Sequence, residues 1–217
     1  MVVRGRFLTF EGIEGSGKST QVARLAEWLG ADDCDRLVTR EPGGTELGRR
    51  LRAVLLAADP SARAREPLTE ALLMVADRAE HVASVILPAL DQGTVVLCDR
   101  HADSTLAYQG GGSGVALETL RALNGIATRG LVPDLTLLYD LEPAVALERM
   151  RARTGGAADR FEAESLAFHQ RVRAAYLALA RAEPGRFAVI DAARPADLVF
   201  EDTRARVAAR LGRPATP

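Results

Sequence analysis

Apolar positions along this chain follow two rhythms. Short, nearly continuous runs read as strands: Phe7-Leu8-Thr9-Phe10 (preceded by Val2-Val3), Arg36 to Arg40, Thr94 to Arg100, Leu135 to Asp140 and Arg186 to Asp191. Runs of that length, bounded by Gly, Pro and Asp, fit strands buried on both faces of a parallel sheet. Between them the spacing becomes helical. Val22, Leu25, Ala26 and Leu29 share one face, and further helical periods cover Glu46 to Ala57, a long stretch from Pro67, Ala102 to Tyr108, Val115 to Ala127, Pro143 to about Arg151, Phe161 to Ala182, and a last stretch to about Leu211. Strands alternating with helices predict an α/β fold: a five-stranded parallel sheet with helices on both faces.

Finer expectations follow from the same pattern. Thr45 is placed to cap the helix from Glu46. Pro67 suits a first helical turn, with Leu68, Leu72, Leu73, Val75, Ala76 and Ala79 as the buried side and Pro88 as its end or kink. Met74 and Arg78, four apart, project from one face of it. Gly110 to Gly114 reads as a flexible break. Leu117, Leu120, Leu123 and Ile126 should anchor the helix after it. Arg49 and Arg52 read as a solvated face. The tail 213–217 should fray.

A length of 217 residues fits one domain over 1–217. The formal net charge of −1 gives no sign of a nucleic-acid or membrane-surface binder. No apolar run reaches the roughly 18 residues of a membrane span, and the expected compartment is the cytoplasm. Cys34 and Cys98 make no disulfide framework, and Cys98 reads as a buried small hydrophobe. One compositional fact bears on chemistry: of the 28 Lys and Arg residues, Lys18 is the single lysine.

Lys18 lies in Gly12-Ile13-Glu14-Gly15-Ser16-Gly17-Lys18-Ser19, the G-x-x-x-x-G-K-[ST] phosphate loop, between a strand and a helix. Glycines let the backbone curl its N–H groups onto phosphate oxygens, and the helix start adds its dipole. Lys18 supplies a point charge and Ser19 a hard oxygen ligand for Mg²⁺. Asp99 closes the strand from Thr94, where open α/β sheets bind ligands. It reads as the second acidic element near Mg²⁺, with Arg100 aimed at a phosphate; a strand-end salt bridge is the other reading. Arg149, Arg151, Arg153 and Arg160 cluster around Gly155-Gly156, either as a lid (149–160) carrying cations over phosphates or as a solvated face. D-x-x-G and N-K-x-D are both missing, which argues against a GTP switch.

Several stretches together resemble the thymidylate kinase family over roughly residues 5 to 205. They are Phe10 through Thr20; Arg40-Glu41-Pro42-Gly43-Gly44-Thr45; Asp99-Arg100-His101 running into Ser104-Thr105 and Ala107-Tyr108-Gln109-Gly110-Gly111-Gly112; Asp159-Arg160; and Ile190-Asp191-Ala192. The resemblance implies the P-loop nucleoside monophosphate kinase fold and a homodimer. It implies Mg²⁺-dependent transfer of the ATP γ-phosphoryl to dTMP, giving dTDP on the way to dTTP. ATP would be held by Gly12, Ile13, Glu14, Gly15, Ser16, Gly17, Lys18, Ser19 and Thr20, with Ser19 and Asp99 on the metal side. Around dTMP it places Met74, Arg78, Arg100, Thr105, Tyr108 and Gln109. Arg78 matches the arginine reaching the thymine edge, Arg100 the one gripping the phosphate, and Tyr108 the tyrosine crowding the sugar 2′ position. Glu14 matches the loop acid near the acceptor phosphate. Because Glu14-Gly15-Ser16 offers no cation, the chain resembles the bacterial layout with its catalytic arginine in the lid, and Arg153 is the choice. The family's usual phenylalanine four residues before the thymine-reading arginine is here Met74, which is expected to cover one face of the base, with ordinary core as the other reading. A deoxynucleoside kinase and a non-catalytic nucleotide-binding module are the alternatives.

Overall fold

The computed structural model describes residues 4–31, 34–57, 65–154, 161 and 164–213, with the side chains of Arg153 and Thr154 outside that description. Five strands, β1 (Phe7–Glu11), β2 (Arg36–Arg40), β3 (Val95–Asp99), β4 (Leu135–Asp140) and β5 (Phe187–Asp191), form one sheet in the order β2-β3-β1-β4-β5. Every neighbouring pair is parallel. Helices α1 (Lys18–Ala31), α2 (Glu46–Leu56), α3 (Pro67–His81), α4 (Leu87–Asp91), α5 (Ala102–Thr105), α6 (Leu117–Thr128), α7 (Pro143–Thr154), α8 (Leu166–Ala182) and α9 (Ala196–Leu211) surround it. The expected α/β architecture is therefore the observed one.

The side-chain period of two splits the core into two layers. Leu8, Phe10, Val95 and Leu97 belong to one apolar cluster, with Leu25, Leu29, Tyr139 and Tyr176. Their strand neighbours Phe7, Val96 and Cys98 belong to a second, under Val82, Ile86 and Leu90. Cys98 is buried there, as expected. All five residues of β1 are buried, because the strand is central and covered on both faces. Register brings Phe10 and Arg40 opposite Asp99, so β1, β2 and β3 end together. The chain leaves β1 between β3 and β4, the switch point where such sheets bind ligands. No helix among the described residues is long and apolar enough to cross a membrane.

Local details depart from the hydrophobic pattern in instructive ways. The buried residues of α3 are Glu70, Ala71, Asp77, Arg78 and His81, while Leu68 and Leu72 are 38% and 46% exposed. The face turned inward meets polar groups of a cleft instead of oily core. Pro88 does not end the helix. A π-helical stretch, Val82–Ile86, widens the backbone before α4, and Pro88 falls in the first turn of α4, where its missing N–H is tolerated. Gly110 and Gly112 are not in a flexible break but buried in a second π-helical stretch, Leu106–Gly112. A Cβ on Gly111 would sit 2.5 Å from the Ala175 Cβ, and one on Gly112 would sit 2.6 Å from the Phe168 ring. The glycines are there for close approach to α8. In α6 only Leu120 of the four expected anchors is buried, and Ile126 is 77% exposed. α8 begins at Leu166, capped by Ser165, so Phe161 precedes it. Thr45 caps α2 as expected, its hydroxyl accepting from the Gly48 N–H at 2.9 Å.

Candidate active site

At the carboxyl end of the sheet lies a cleft of about 480 Å³, with the phosphate loop on one wall and α3 on the other. Gly12, Gly15 and Gly17 all have positive φ, at 138°, 74° and 86°. A Cβ on Gly12 would lie 2.5 Å from the Tyr139 carbonyl oxygen, and one on Gly15 would lie 2.5 Å from that of Ala146, so the loop closes only with glycine at both. Ser16 ties the turn by donating to the Ile13 carbonyl at 2.8 Å. Lys18 is buried and donates to the Gly12 and Ile13 carbonyls at 2.9 and 2.8 Å. Burial, followed by the nearby Arg100 charge, lowers its pKa to about 8. Gly17, Ser19 and Thr20 line the cleft at the start of α1.

Ser19 Oγ donates to Asp99 Oδ2 at 2.8 Å. Asp99 Oδ1 is buried without a hydrogen-bond partner, and Asp99 enters no ion pair among the described residues. A strand-end salt bridge is thus not what Asp99 does. A serine hydroxyl beside a carboxylate with a free acceptor is a donor set of hard oxygens, which fits a magnesium ion.

Arg100 follows Asp99 with φ of 69°, a left-handed conformation that arginine rarely adopts. Its guanidinium donates to Glu14 Oε1 (2.6 Å), the Tyr108 hydroxyl (3.1 Å) and the Gly12 carbonyl (3.1 Å). Tyr108 also donates to Glu14. Burial pushes the Glu14 carboxyl up, but the Arg100 and Lys18 charges outweigh it and hold the group below its usual range. Behind this layer Glu11 is fully buried and accepts from the His101 N–H (2.8 Å), Ser104 Oγ (2.6 Å) and the Tyr176 hydroxyl (2.8 Å). Burial and then the Asp103 charge raise its pKa to about 7. Glu11 therefore clamps the turn that holds Arg100 in its unusual conformation.

Across the cleft stand Met74, Arg78, Thr105, Tyr108 and Gln109. Met74 is half-buried, packed on the core and also facing the cleft. Arg78 is buried, donating through Nε to Glu41 Oε2 (2.8 Å), through Nη1 to Thr105 Oγ1 (3.1 Å) and Asn124 Oδ1 (2.7 Å), and through Nη2 to the His101 carbonyl (3.0 Å). Gln109 donates to Glu70 at 2.9 Å. Of the lid candidates, Arg149 reaches the cleft and donates to the Ala192 carbonyl at 3.0 Å, while Arg151 is exposed. The side chain of Arg153 and all of Arg160 lie outside the described residues.

Four residues of this site were not assigned a role from sequence. Phe161, expected in a helix, forms cleft wall edge-on to Tyr108 at 5.8 Å. Arg52, expected in solvent, lines the cleft and donates to the Pro42 carbonyl at 2.9 Å, while Arg49 is exposed as expected. Glu11 and Glu41 are buried carboxylates. Their signal was position: Glu11 ends β1 and Glu41 directly follows β2, each inside one of the quoted motifs. Glu41, His81 and Cys98 bring ligand atoms within 4.8 Å of one another. The Arg78 cation on Glu41 and a thiol pushed well up by burial and by Glu41 itself make this a hydrogen-bonded hub and a poor cation site.

Residues 10–203 match the family model described as Thymidylate kinase. A curated thymidylate kinase of Desulfovibrio desulfuricans is 54% identical over 212 residues, covering 95% of this chain and 97% of that protein. A thymidylate kinase of Deinococcus radiodurans is 51% identical over 207 residues, covering 95% and 98%. One of Pelotomaculum thermopropionicum is 52% identical over 200 residues, covering 92% and 91%. With its phosphate loop, Asp99-Arg100 turn and α3 wall gathered at one sheet edge, this chain belongs to the thymidylate kinase family.

Proposed function

We propose that this protein transfers the γ-phosphoryl of ATP to dTMP, giving dTDP, with Lys18 and the loop on the donor and Arg100, Arg78, Met74 and Tyr108 on the acceptor. The observation that supports this most is convergence: donor-side and acceptor-side residues face each other across one cleft. The acceptor phosphate is already an oxyanion at neutral pH, so no general base is needed. The work of the chain is alignment and charge neutralisation. Lys18 neutralises charge on the donor phosphates, Arg100 holds the acceptor phosphate, and Glu14 with Tyr108 fixes the direction of Arg100. Ser19 and Asp99 would hold Mg²⁺, which when bound supplies charge neutralisation at the phosphates. The loop carries no cation at Glu14-Gly15-Ser16, and so we assign the transferring phosphoryl to a lid arginine, Arg153.

The same reading includes a homodimer in the cytoplasm. Leu47 and Val54 on α2, Leu68 and Leu72 on α3, and Leu117 and Ile126 on α6 leave apolar surface on adjoining helices. Such a face suits a second copy of the chain. Sedimentation at micromolar concentration should give twice the 23.2 kDa chain mass; a concentration-independent monomer would reject the dimer.

A coupled ADP-release assay across dTMP, dUMP, dCMP, AMP and thymidine tests the acceptor. dTMP should be preferred, with dUMP weaker by about 10- to 200-fold for its missing methyl. Equal or better turnover of AMP, dCMP or thymidine would overturn the assignment.

A further inference from the structure

The Arg40-Glu41-Pro42-Gly43-Gly44-Thr45 stretch marks the family, but its residues lack a task in the phosphoryl transfer described above. The structure places it under α3. Glu41 is buried, and its two oxygens are divided among three partners. Oε2 accepts from Arg78 Nε at 2.8 Å. Oε1 accepts from His81 Nδ1 at 2.9 Å and from His101 Nδ1 at 3.0 Å. Both imidazoles present Nδ1–H to the carboxylate, and His81 Nε2 is hydrogen-bonded to the Thr39 hydroxyl at 2.7 Å. The remainder of the stretch is tied to the same helix. The Gly43 N–H donates to Asp77 Oδ1 at 3.0 Å, and a Cβ on Gly44 would lie 2.3 Å from the His81 ring. Asp77, Arg78 and His81 all belong to the inward face of α3, so one loop fixes one helical face.

We propose that Glu41 is a positioning residue for base recognition, holding the Arg78 guanidinium in the one orientation that presents its unpaired N–H to the base in the cleft. The argument is a count of donors. A guanidinium has five N–H groups in a rigid fork. Four of those on Arg78 go to Glu41, Thr105, Asn124 and the His101 carbonyl. One Nη2 hydrogen is left, and Arg78 lines the cleft. A single fixed donor discriminates sharply: it attracts a base carrying a carbonyl at position 4 and repels one carrying an amino group there, because two donors would face each other. Glu41 supplies the only carboxylate in ion-pair contact with Arg78 among the described residues. Its other oxygen is locked by two imidazoles, so it cannot swing. The Glu41 carboxyl is subject to burial, which raises its pKa, yet His101 and Arg78 hold it well below its usual range, so it stays charged across the working pH.

This inference rests on reading Arg78 as the contact to the base, and the experiment separates the two. Kinetics of E41Q, E41D and R78M are measured with dTMP and dCMP, together with KM for ATP. In E41Q the amide oxygen cannot serve both sides of the hub, and its NH₂ meets a donor. The KM for dTMP should rise roughly 10- to 100-fold, the scale of a hydrogen bond to a charged group, with KM for ATP within about twofold. The preference for dTMP over dCMP should fall toward that of R78M. E41D keeps the charge but withdraws it by one methylene, so it should lose part of that preference, and it decides the matter if E41Q does not fold. General loosening of the fold would raise both KM values and leave the preference ratio intact, which would overturn the proposal. So would wild-type preference in E41Q, or in E41D where E41Q does not fold, when R78M has lost its own. Wild-type preference in R78M would instead remove the Arg78 reading, and the inference with it.

Discussion

Lys18 gives the sharpest test of the donor side, because activity and stability should move in opposite directions with pH. The ammonium is buried against two carbonyls, and burial with Arg100 nearby lowers its pKa from 10.5 to about 8. Above pH 8 the free enzyme progressively loses the charge that meets the outer phosphates. The ratio kcat/KM for ATP reports groups of the free enzyme, so at saturating dTMP it should fall about tenfold per pH unit, reaching about 30-fold by pH 9.5. The shifted groups whose charge acts on Lys18 have their pKa values outside this window. Glu11 is raised to about 7, Glu14 lies below the usual carboxylate range, and Arg100 is pushed well above its own.

Stability follows the opposite sign. The folded-state pKa is depressed, so between 8 and 10.5 the unfolded chain binds more protons and stability rises with pH. Below pH 8 the full cost of the buried charge is present, on the order of 3 kcal/mol. Replacing Lys18 with Met should therefore abolish activity and still raise the melting temperature at pH 7. The gain should be less than about 3 kcal/mol, since the two carbonyl hydrogen bonds are lost with the charge. The wild-type and K18M melting curves should converge as pH rises from 8 to 10. A melting temperature of K18M below wild type at pH 7, or a kcat/KM for ATP that stays flat to pH 9.5, would refute the reasoning.

Met74→Ala should raise KM for dTMP roughly 10- to 100-fold while KM for ATP is unchanged and Met74→Phe stays active; a loss of thermal stability without a dTMP-specific effect would make Met74 ordinary core. Arg153→Ala should lower kcat by roughly 10³ with KM for dTMP little changed, read by single-turnover kinetics; a fall below about tenfold would move the role to another lid arginine. Gly111→Ala, whose Cβ meets Ala175 at 2.5 Å, should cost about 1 to 3 kcal/mol in thermal melting. Gly125→Ala, with nothing within 4 Å, should instead stabilise by up to about 1 kcal/mol.

The inner strands were legible because central parallel strands carry continuous apolar runs, and β4 has the very bounds its run marks; β2, at the sheet edge with no buried residue, was marked by its short Leu37-Val38-Thr39 β-rich core alone. The phosphate loop was legible because only glycine meets its backbone demands at Gly12 and Gly15. What could not be read was which face of a helix turns inward when the interior is a cleft. Hydrophobic spacing in α3 selected Leu68 and Leu72, whereas the fold buries Glu70, Asp77, Arg78 and His81. Each of those polar groups meets a partner from another element: Gln109, Gly43, Glu41 and Thr39. Periodicity in one segment carries no trace of a partner that far along the chain. The two π-helical stretches were likewise hidden. A wide turn before Pro88 and another at Leu106–Gly112 arise from packing, and a glycine run there looks the same as a loose linker.

The burial of so many charges at one sheet edge has a single physical logic. Lys18 is buried against loop carbonyls and Arg78 against Glu41, while the partly buried Arg100 pairs with Glu14. Buried ion pairs of this kind contribute little net stability, because desolvation offsets their attraction. Their worth lies in the orientation they impose. Glu14 and Tyr108 aim the Arg100 guanidinium, Glu11 holds the backbone turn that carries it, and Glu41 aims Arg78. A phosphoryl-transfer site gains its rate from charges already in place when the phosphates arrive, since the dipoles need no reorganisation during the reaction. The three carboxylates are thus better understood as the fixed side of a positioning frame than as acids or bases. Replacing Glu14 or Glu41 by its amide should disturb the aim of Arg100 or Arg78 as well as cost stability, because each change leaves a guanidinium without its carboxylate.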